Sequence, residues 1–341
     1  VDALGVNCSL GPKELIPIVD ELLQYSKTPV LVQPNAGLPK MIDGNTVFDL
    51  SVNDYSLIMN DFARKGVTIL GGCCGTDEKF IKSIHDTLEN FTPVLRKIKP
   101  RSIIATATKC VDLKIIGERI NPTGKKRLKE ALINNDLDYI LREAVSQKEN
   151  GADILDVNVG LPEIDEALVI TNVVKEIQTI VDLPLQIDSS DAGAIEAALR
   201  VYNGKAVINS VNGKPEIMDS IFKIAKKYGA CVVGLTLDEN GIPSLAEERF
   251  KIAEKIVNTA EKYGIPKENL LIDCLVLTAS AQQKEVAETL KAISMVREKL
   301  GVRTVLGVSN VSFGLPNRAL LNRTFLTMAL HSGLTTPILN P

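Results

Sequence analysis

Apolar positions along the chain gather into short runs separated by amphipathic stretches of helical length, and these runs fall into two sets. In residues 1–95 the pattern predicts strand, helix, strand, helix, strand, helix. Ala3–Cys8 is the first strand, and Pro12 stands where a helix over Lys13–Ser26 tolerates it. Pro29–Gln33 is the second strand, trailed by a loop rich in Asn, Gly and Pro. A helix over Tyr55–Lys65, a strand over Val67–Leu70 and an amphipathic helix over Glu78–Leu88 complete the set. Residues 96–113 lack a clean period and read as a linker.

From residue 114 the alternation is strict. Apolar runs at Ile115–Ile120, Asp153–Val157, Leu185–Asp188, Ala206–Asn209, Cys231–Leu237, Leu270–Cys274, Thr304–Ser309 and Thr336–Leu339 are separated by helical segments such as Ala192–Tyr202 and Leu245–Tyr263. Glycines such as Gly204, Gly229 and Gly264 close several helices. Eight near-continuous apolar strands alternating with helices predict the α/β class and a (β/α)₈ barrel over residues 114–341. A doubly wound open sheet is the alternative, but no Gly-x-Gly-x-x-Gly turn follows its first strand.

In such a barrel a polar residue at the C-terminal end of a strand faces the mouth. Glu118, Asn121, Asp156, Asn158, Asp188, Asn209, Asp273 and Asn310 all occupy such positions. Any one of them is equally well explained as a turn or cap residue. Together they are not, because several interrupt apolar runs, as Asp273 does between Leu271 and Val276. A ring of carboxylates and carboxamides without a His or Lys base suits a flat, nitrogen-rich heterocycle. A pterin edge offers adjacent N–H donors that one carboxylate accepts as a fork. The two histidines, His85 and His331, fall on helices and read as surface or packing residues.

The first set ends in different chemistry. Gly71-Gly72-Cys73-Cys74-Gly75-Thr76 follows an apolar strand, and Cys8 ends another. Paired glycines let the backbone bend so that adjacent cysteines face one ion, and three thiolates leave zinc a fourth, open position for a substrate. A Cys73–Cys74 disulfide is disfavoured by geometry. Cys110, Cys231 and Cys274 read as small core hydrophobes.

A net charge of −3 with acids and bases interspersed, and no basic stripe with aromatics, gives no reason to expect nucleic acid. No run approaches bilayer length and no signal peptide is visible, so a cytoplasmic location and reduced cysteines are expected, with no membrane partner. The chain opens on Val1 almost inside a strand, which reads as part of a longer polypeptide.

The cysteine motif with Gly5-Val6-Asn7-Cys8 resembles the zinc site of homocysteine methyltransferases. Ile116–Gly124, Gly151–Asn158, Ile187–Ser190 and Val308–Pro316 resemble the pterin-binding methyltransferase barrel, itself related to dihydropteroate synthase. Both in one chain resemble the homocysteine and folate modules of the cobalamin-dependent methionine synthase family. The resemblance implies that 1–95 is the C-terminal part of a second (β/α)₈ barrel whose other strands lie elsewhere. It also implies zinc on Cys8, Cys73 and Cys74. Asp188, Asn209, Asp273 and Asn310 would line the pterin pocket, joined by Asn121, Asn158 and Arg318, with Asn310 the catalytic contact nearest N5. Homocysteine, 5-methyltetrahydrofolate and a cobalamin-binding domain are the implied partners, and methyl transfer to homocysteine through cobalamin is the implied activity. No residue is assigned to cobalamin itself. Competing readings keep only the barrel, as a methyltetrahydrofolate to corrinoid protein methyltransferase or a dihydropteroate synthase relative. Another is a noncatalytic folate-binding module with a structural zinc.

Overall fold

The computed structural model describes residues 1–96, 98 and 103–341, so residues 97 and 99–102 of the expected linker lie outside the described residues. The chain divides into two units, residues 1–100 and 101–341.

In the first unit, β1 (Leu4–Asn7), β2 (Val30–Gln33) and β5 (Ile69–Leu70) form a parallel sheet in the order β1-β2-β5. The alternation of β2 buries Val30 and Val32 against α1 (Pro12–Tyr25), α2 (Val52–Lys65) and α3 (Glu78–Leu88) through Leu15, Val19, Met59, Phe62 and Ile84. Ser51 caps α2 by accepting from Asp54 N–H, and Asp77 caps α3 by accepting from Lys79 and Phe80 N–H. The Asn/Gly/Pro loop expected after β2 is itself a hairpin, β3 (Pro39–Ile42) paired antiparallel with β4 (Asn45–Phe48). Its turn places both Asp43 and Gly44 at positive φ, the geometry that favours an Asp-Gly pair.

The second unit opens with another hairpin, β6 (Ile103–Ala105) and β7 (Cys110–Asp112), inside the stretch read as a linker. Strands of three residues are too short for period-two alternation to register. Eight parallel strands then close on themselves: β8 (Ile116–Ile120), β9 (Ile154–Val157), β10 (Leu185–Asp188), β11 (Val207–Asn212), β12 (Cys231–Leu235), β13 (Leu270–Asp273), β14 (Arg303–Gly307) and β15 (Thr336–Leu339). The closing register pairs Ile338 with Ile116. The connections carry α4 (Lys126–Ile133), α5 (Leu137–Glu149), α6 (Glu166–Ile180), α7 (Ala192–Val201), α8 (Pro215–Tyr228), α9 (Ala246–Lys262), α10 (Gln283–Met295) and α11 (Arg318–His331). The barrel expectation therefore holds strand by strand, and it holds because both faces are buried. Leu155, Leu185, Ile187, Ile208 and Ile272 pack outward among the helices, while Ile116, Ile154, Val207, Val233, Leu271 and Val305 form a separate cluster inside the barrel.

Ile104 and Leu113 belong to that inner cluster, so the hairpin supplies part of the barrel's own core. It is tied down by paired backbone bonds between Ala105 and Lys205 and by Tyr202 Oη, which donates to Ala105 O at 2.7 Å. Ile104 has no exposed surface. Ile104→Ala is expected to destabilise the barrel unit by about 2–4 kcal/mol, read as a lowered midpoint in denaturant melts. Cys231 and Cys274 are buried as expected, but Cys110 is exposed, because it stands on the solvent side of this hairpin rather than in a core. Among the described residues no helix is long and apolar enough to cross a membrane.

Candidate functional site

Two constellations stand out, one in each unit. In the first, the chain turns sharply at the ends of β1 and β5. Cys8 and Ser9 both adopt positive φ, and Cys8 N–H still bonds Gln33 O at 3.0 Å, so the Cys8 side chain leaves the strand at a turn. The Gly71–Thr76 loop is held by Cys73 N–H on Pro34 O at 2.9 Å and Cys74 N–H on Asn35 Oδ1 at 3.2 Å. Gly75 sits at a φ of 79° with the Phe48 ring of the hairpin where a Cβ would be, so no other residue fits there unchanged. Beneath the loop, the buried Tyr55 hydroxyl lies 3.0 Å from both Pro34 O and Gly71 O and can donate to either.

The result is a trio of thiols with all three sulfurs within 4.8 Å of one another. Cys8 Sγ lies 3.6 Å from Cys74 Sγ, and Cys73 Sγ lies 3.9 Å from it. Tetrahedral zinc bonded to thiolates at about 2.3 Å sets its sulfurs roughly 3.8 Å apart, so the donor set fits that ion. The Ser9 N–H, then the neighbouring thiols, hold the Cys8 thiol below its ordinary range. Cys74 is pushed up to about 11 by Cys8 and Cys73. Three negative sulfurs at this spacing repel one another, and a divalent cation removes that conflict.

In the barrel, alternation places Glu118, Asp156, Asp188, Asn209 and Asp273 two residues beyond inward-facing Ile116, Ile154, Gln186, Val207 and Leu271. The same strand faces that line the core therefore carry the polar ring at the C-terminal mouth. Asp188 and Asn209 are register partners on β10 and β11. Asn121 Nδ2 donates to Asp188 Oδ2 at 3.3 Å, and Gln186 Nε2 donates to Asp156 Oδ1 at 2.7 Å. Ser309 Oγ donates to Glu118 Oε1 at 2.7 Å. The true helix caps are other residues, Asp136, Asp165 and Asp191. Part of the turn explanation holds, since Asn121, Asn158 and Asp273 each accept a backbone N–H two residues on. Among the described residues Asp156 and Asp188 have no such bond.

Burial governs the charge state of these acids. Desolvation, reinforced by Asp188, pushes Asp156 far above the carboxylate range. Desolvation raises Asp188 to about 6 despite the Asn158 amide, and raises Asp273 to about 7 against the Leu275 N–H and Arg249. A carboxyl group whose folded pKa is raised binds more protons folded than unfolded, so its stability contribution falls as pH climbs from about 4 to about 7. Asp188→Asn should therefore stabilise the ligand-free protein at pH 7.5 by on the order of 1–3 kcal/mol, and the gain should shrink by pH 4.5. Thermal melts of the two proteins across pH measure this.

Asn310 stands on a 3₁₀ turn, Val308–Ser312, just past β14, and is exposed. Arg318 braces that turn: its Nη2 donates to Ser309 O at 3.2 Å, its Nε to Ser312 Oγ at 3.1 Å, and its guanidinium lies 5.5 Å from the Phe313 ring centroid. Several residues that shape the mouth were not singled out by the sequence reading. Lys125 Nζ donates to Glu118 O at 2.7 Å and reaches Arg119 O and Asn121 O at 3.2 Å, gathering the carbonyls at the end of β8. Burial lowers its pKa. Gln186 is fully buried between Leu185 and Ile187, and that interruption was a visible signal. Tyr55 and Arg249 carried none.

Residues 117–340, more than half of the chain, match the pterin binding enzyme family, and the chain belongs to that family. Residues 1–88 match the homocysteine S-methyltransferase family. Across its whole length the chain is similar to two methionine synthases. That of Mycobacterium tuberculosis is 30% identical over 360 residues and that of Mycobacterium leprae 31% over 376. The chain spans 30% of the length of each. Among solved structures, Yersinia pestis dihydropteroate synthase superposes with a TM-score of 0.53 at 16% identity, covering 70% of this chain and 92% of that one. Xanthomonas albilineans dihydropteroate synthase with 4-aminobenzoic acid gives 0.54 at 17%, over 70% and 92%. At such identities these likenesses speak for the barrel fold alone.

Proposed function

We propose that this chain carries two half-sites of a methionine-forming methyltransferase: a zinc and homocysteine site on Cys8, Cys73 and Cys74, and a 5-methyltetrahydrofolate site in the mouth of the barrel. The observation that carries the reading is the presence, in one chain, of a three-thiol cluster at zinc spacing and a carboxylate–carboxamide ring at the barrel mouth in which Asp156 and Asp273 are buried. Its similarity to methionine synthases over both units supports it. The readings that keep only the barrel leave the thiol cluster without a role.

At the barrel, Asp188 and Asp273 accept from the N–H edge of the pterin, while Asn121, Asn158 and Asn209 pair with its remaining donors and acceptors. An uncharged Asp188 or Asp273 offers one acceptor fewer, so binding favours their ionised forms. An amine anion is a very poor leaving group, so N5 must hold a proton when the methyl departs. Asn310, whose amide serves N5 protonated or not, is the catalytic contact there, and Arg318 keeps its turn in place. At the thiol cluster, zinc held by Cys8, Cys73 and Cys74 would present a position that favours the thiolate of homocysteine. The three cysteines hold that position, and the Tyr55-braced loops fix their spacing. Cobalamin on a partner domain would supply the methyl-carrying chemistry between the two half-sites, and no residue of this chain is assigned to hold it. The setting is cytoplasmic, where cysteines stay reduced.

Calorimetric titration of the purified chain with 5-methyltetrahydrofolate tests the barrel half of the reading. Saturable one-to-one binding that removal of zinc leaves unchanged supports it. No binding to folded protein would remove the folate site.

A further inference from the structure

Arg249 heads the large side chains with no exposed surface, yet neither half-site uses it. It lies in the first turn of α9, and its Nε donates to Pro243 O at 2.7 Å. Its Nη1 is 3.0 Å from Cys274 O, 2.8 Å from Leu275 O and 2.7 Å from Thr289 Oγ1. Among the described residues its only ion-pair partner is Glu285, 3.4 Å from Nη2. Burying a guanidinium is costly, so its surroundings must supply acceptors, and here two of them are the carbonyls of one turn.

That turn follows Asp273 directly. Leu275 adopts a φ of 55°, a left-handed conformation unusual for a leucine, and its N–H donates to Asp273 Oδ1 at 2.7 Å. Thr289 Oγ1 also lies 3.0 Å from Leu275 O, so the carbonyl is held from α9 and α10 together. Among the described residues the Asp273 carboxylate has no other hydrogen bond. Its direction therefore depends on the peptide that Arg249 fixes.

We propose that Arg249 is a positioning residue for the pterin site: by gripping the carbonyls of Cys274 and Leu275 it keeps the Leu275 N–H on Asp273 Oδ1 and so aims that carboxylate at the pterin. The inference rests on the barrel mouth being the folate site. Cys274 of the turn, with Glu285 and Glu288 of α10, are the other titratable groups acting on Arg249. Against the burial that raises Asp273, the Leu275 N–H and then the Arg249 charge favour its ionised form.

Arg249→Lys keeps the charge but replaces the planar fork with a point ammonium that cannot serve both loops. Titrating the full-length variant with 5-methyltetrahydrofolate across pH should show affinity about 10-fold weaker near neutrality, recovering by about pH 8.5 as the binding midpoint moves up. A variant with a lower melting temperature but parental affinity and midpoint would overturn the proposal. Should Arg249→Lys fail to fold, Thr289→Val carries the test, since it removes the hydroxyl shared by Arg249 and Leu275 O. The same upward shift, smaller in size, supports the inference, and an unchanged midpoint overturns it. Asp188→Asn is the control. If it weakens folate binding while the Arg249 and Thr289 variants do not, only this inference falls; if the folded parent protein itself binds no 5-methyltetrahydrofolate, the folate-site reading falls with it.

Discussion

Cys73→Ala should abolish metal-dependent activation of homocysteine while folate binding stays within about twofold of the parent. Cys73 is the middle of the sequence motif, and its sulfur lies 3.9 Å from Cys74 Sγ. Two thiolates and water hold zinc far less firmly than three, and structural or catalytic zinc affinity is lost steeply with each ligand. The proposed folate site belongs to the other unit, which has its own closed barrel and core. Metal content by mass spectrometry and folate titration, both on the full chain, check the two halves. Full zinc occupancy in the variant would remove Cys73 from the ligand set.

Asp188→Asn is the second large effect and acts in the opposite unit. It keeps the shape of the side chain but replaces one acceptor oxygen with an N–H₂ that faces the pterin's own donors. Leaving such groups unpaired in a buried site costs roughly 2–4 kcal/mol, which is about 30-fold to nearly 1,000-fold in affinity. The same substitution should stabilise the empty protein at neutral pH, because it deletes a carboxyl group that burial raises to about 6. Weaker binding together with higher stability is hard to obtain from simple damage to the fold. Unchanged affinity in a folded variant would place Asp188 outside the site.

What the sequence made legible follows from where period and burial coincide. The eight barrel strands were readable because strands buried on both faces are near-continuously apolar, and Leu185–Asp188 and Thr336–Leu339 match to the residue. The hairpins were not readable. Pro39–Ile42 is exposed along its length, and Ile103–Ala105 has only three residues, though Asp43-Gly44 was a usable turn signal. The three cysteines were identified from a motif and meet in space. Arg318 was expected in the pterin pocket by resemblance, and the structure occupies its guanidinium with the turn that carries Asn310. Arg249 and Tyr55 look like ordinary helix residues in one dimension, because only the packing of distant loops buries them.

On the proposed reading, the barrel binds 5-methyltetrahydrofolate for methyl transfer and does so independently of the thiol cluster. Its most direct test is a single-turnover reaction of the full chain with 5-methyltetrahydrofolate and added cob(I)alamin, followed by loss of the cob(I)alamin absorbance. Transfer is expected to persist in Cys73→Ala and after zinc chelation, and to slow as pH rises because N5 must be protonated. Folded protein that binds folate but transfers no methyl, or transfer that stops when zinc is removed, would contradict it.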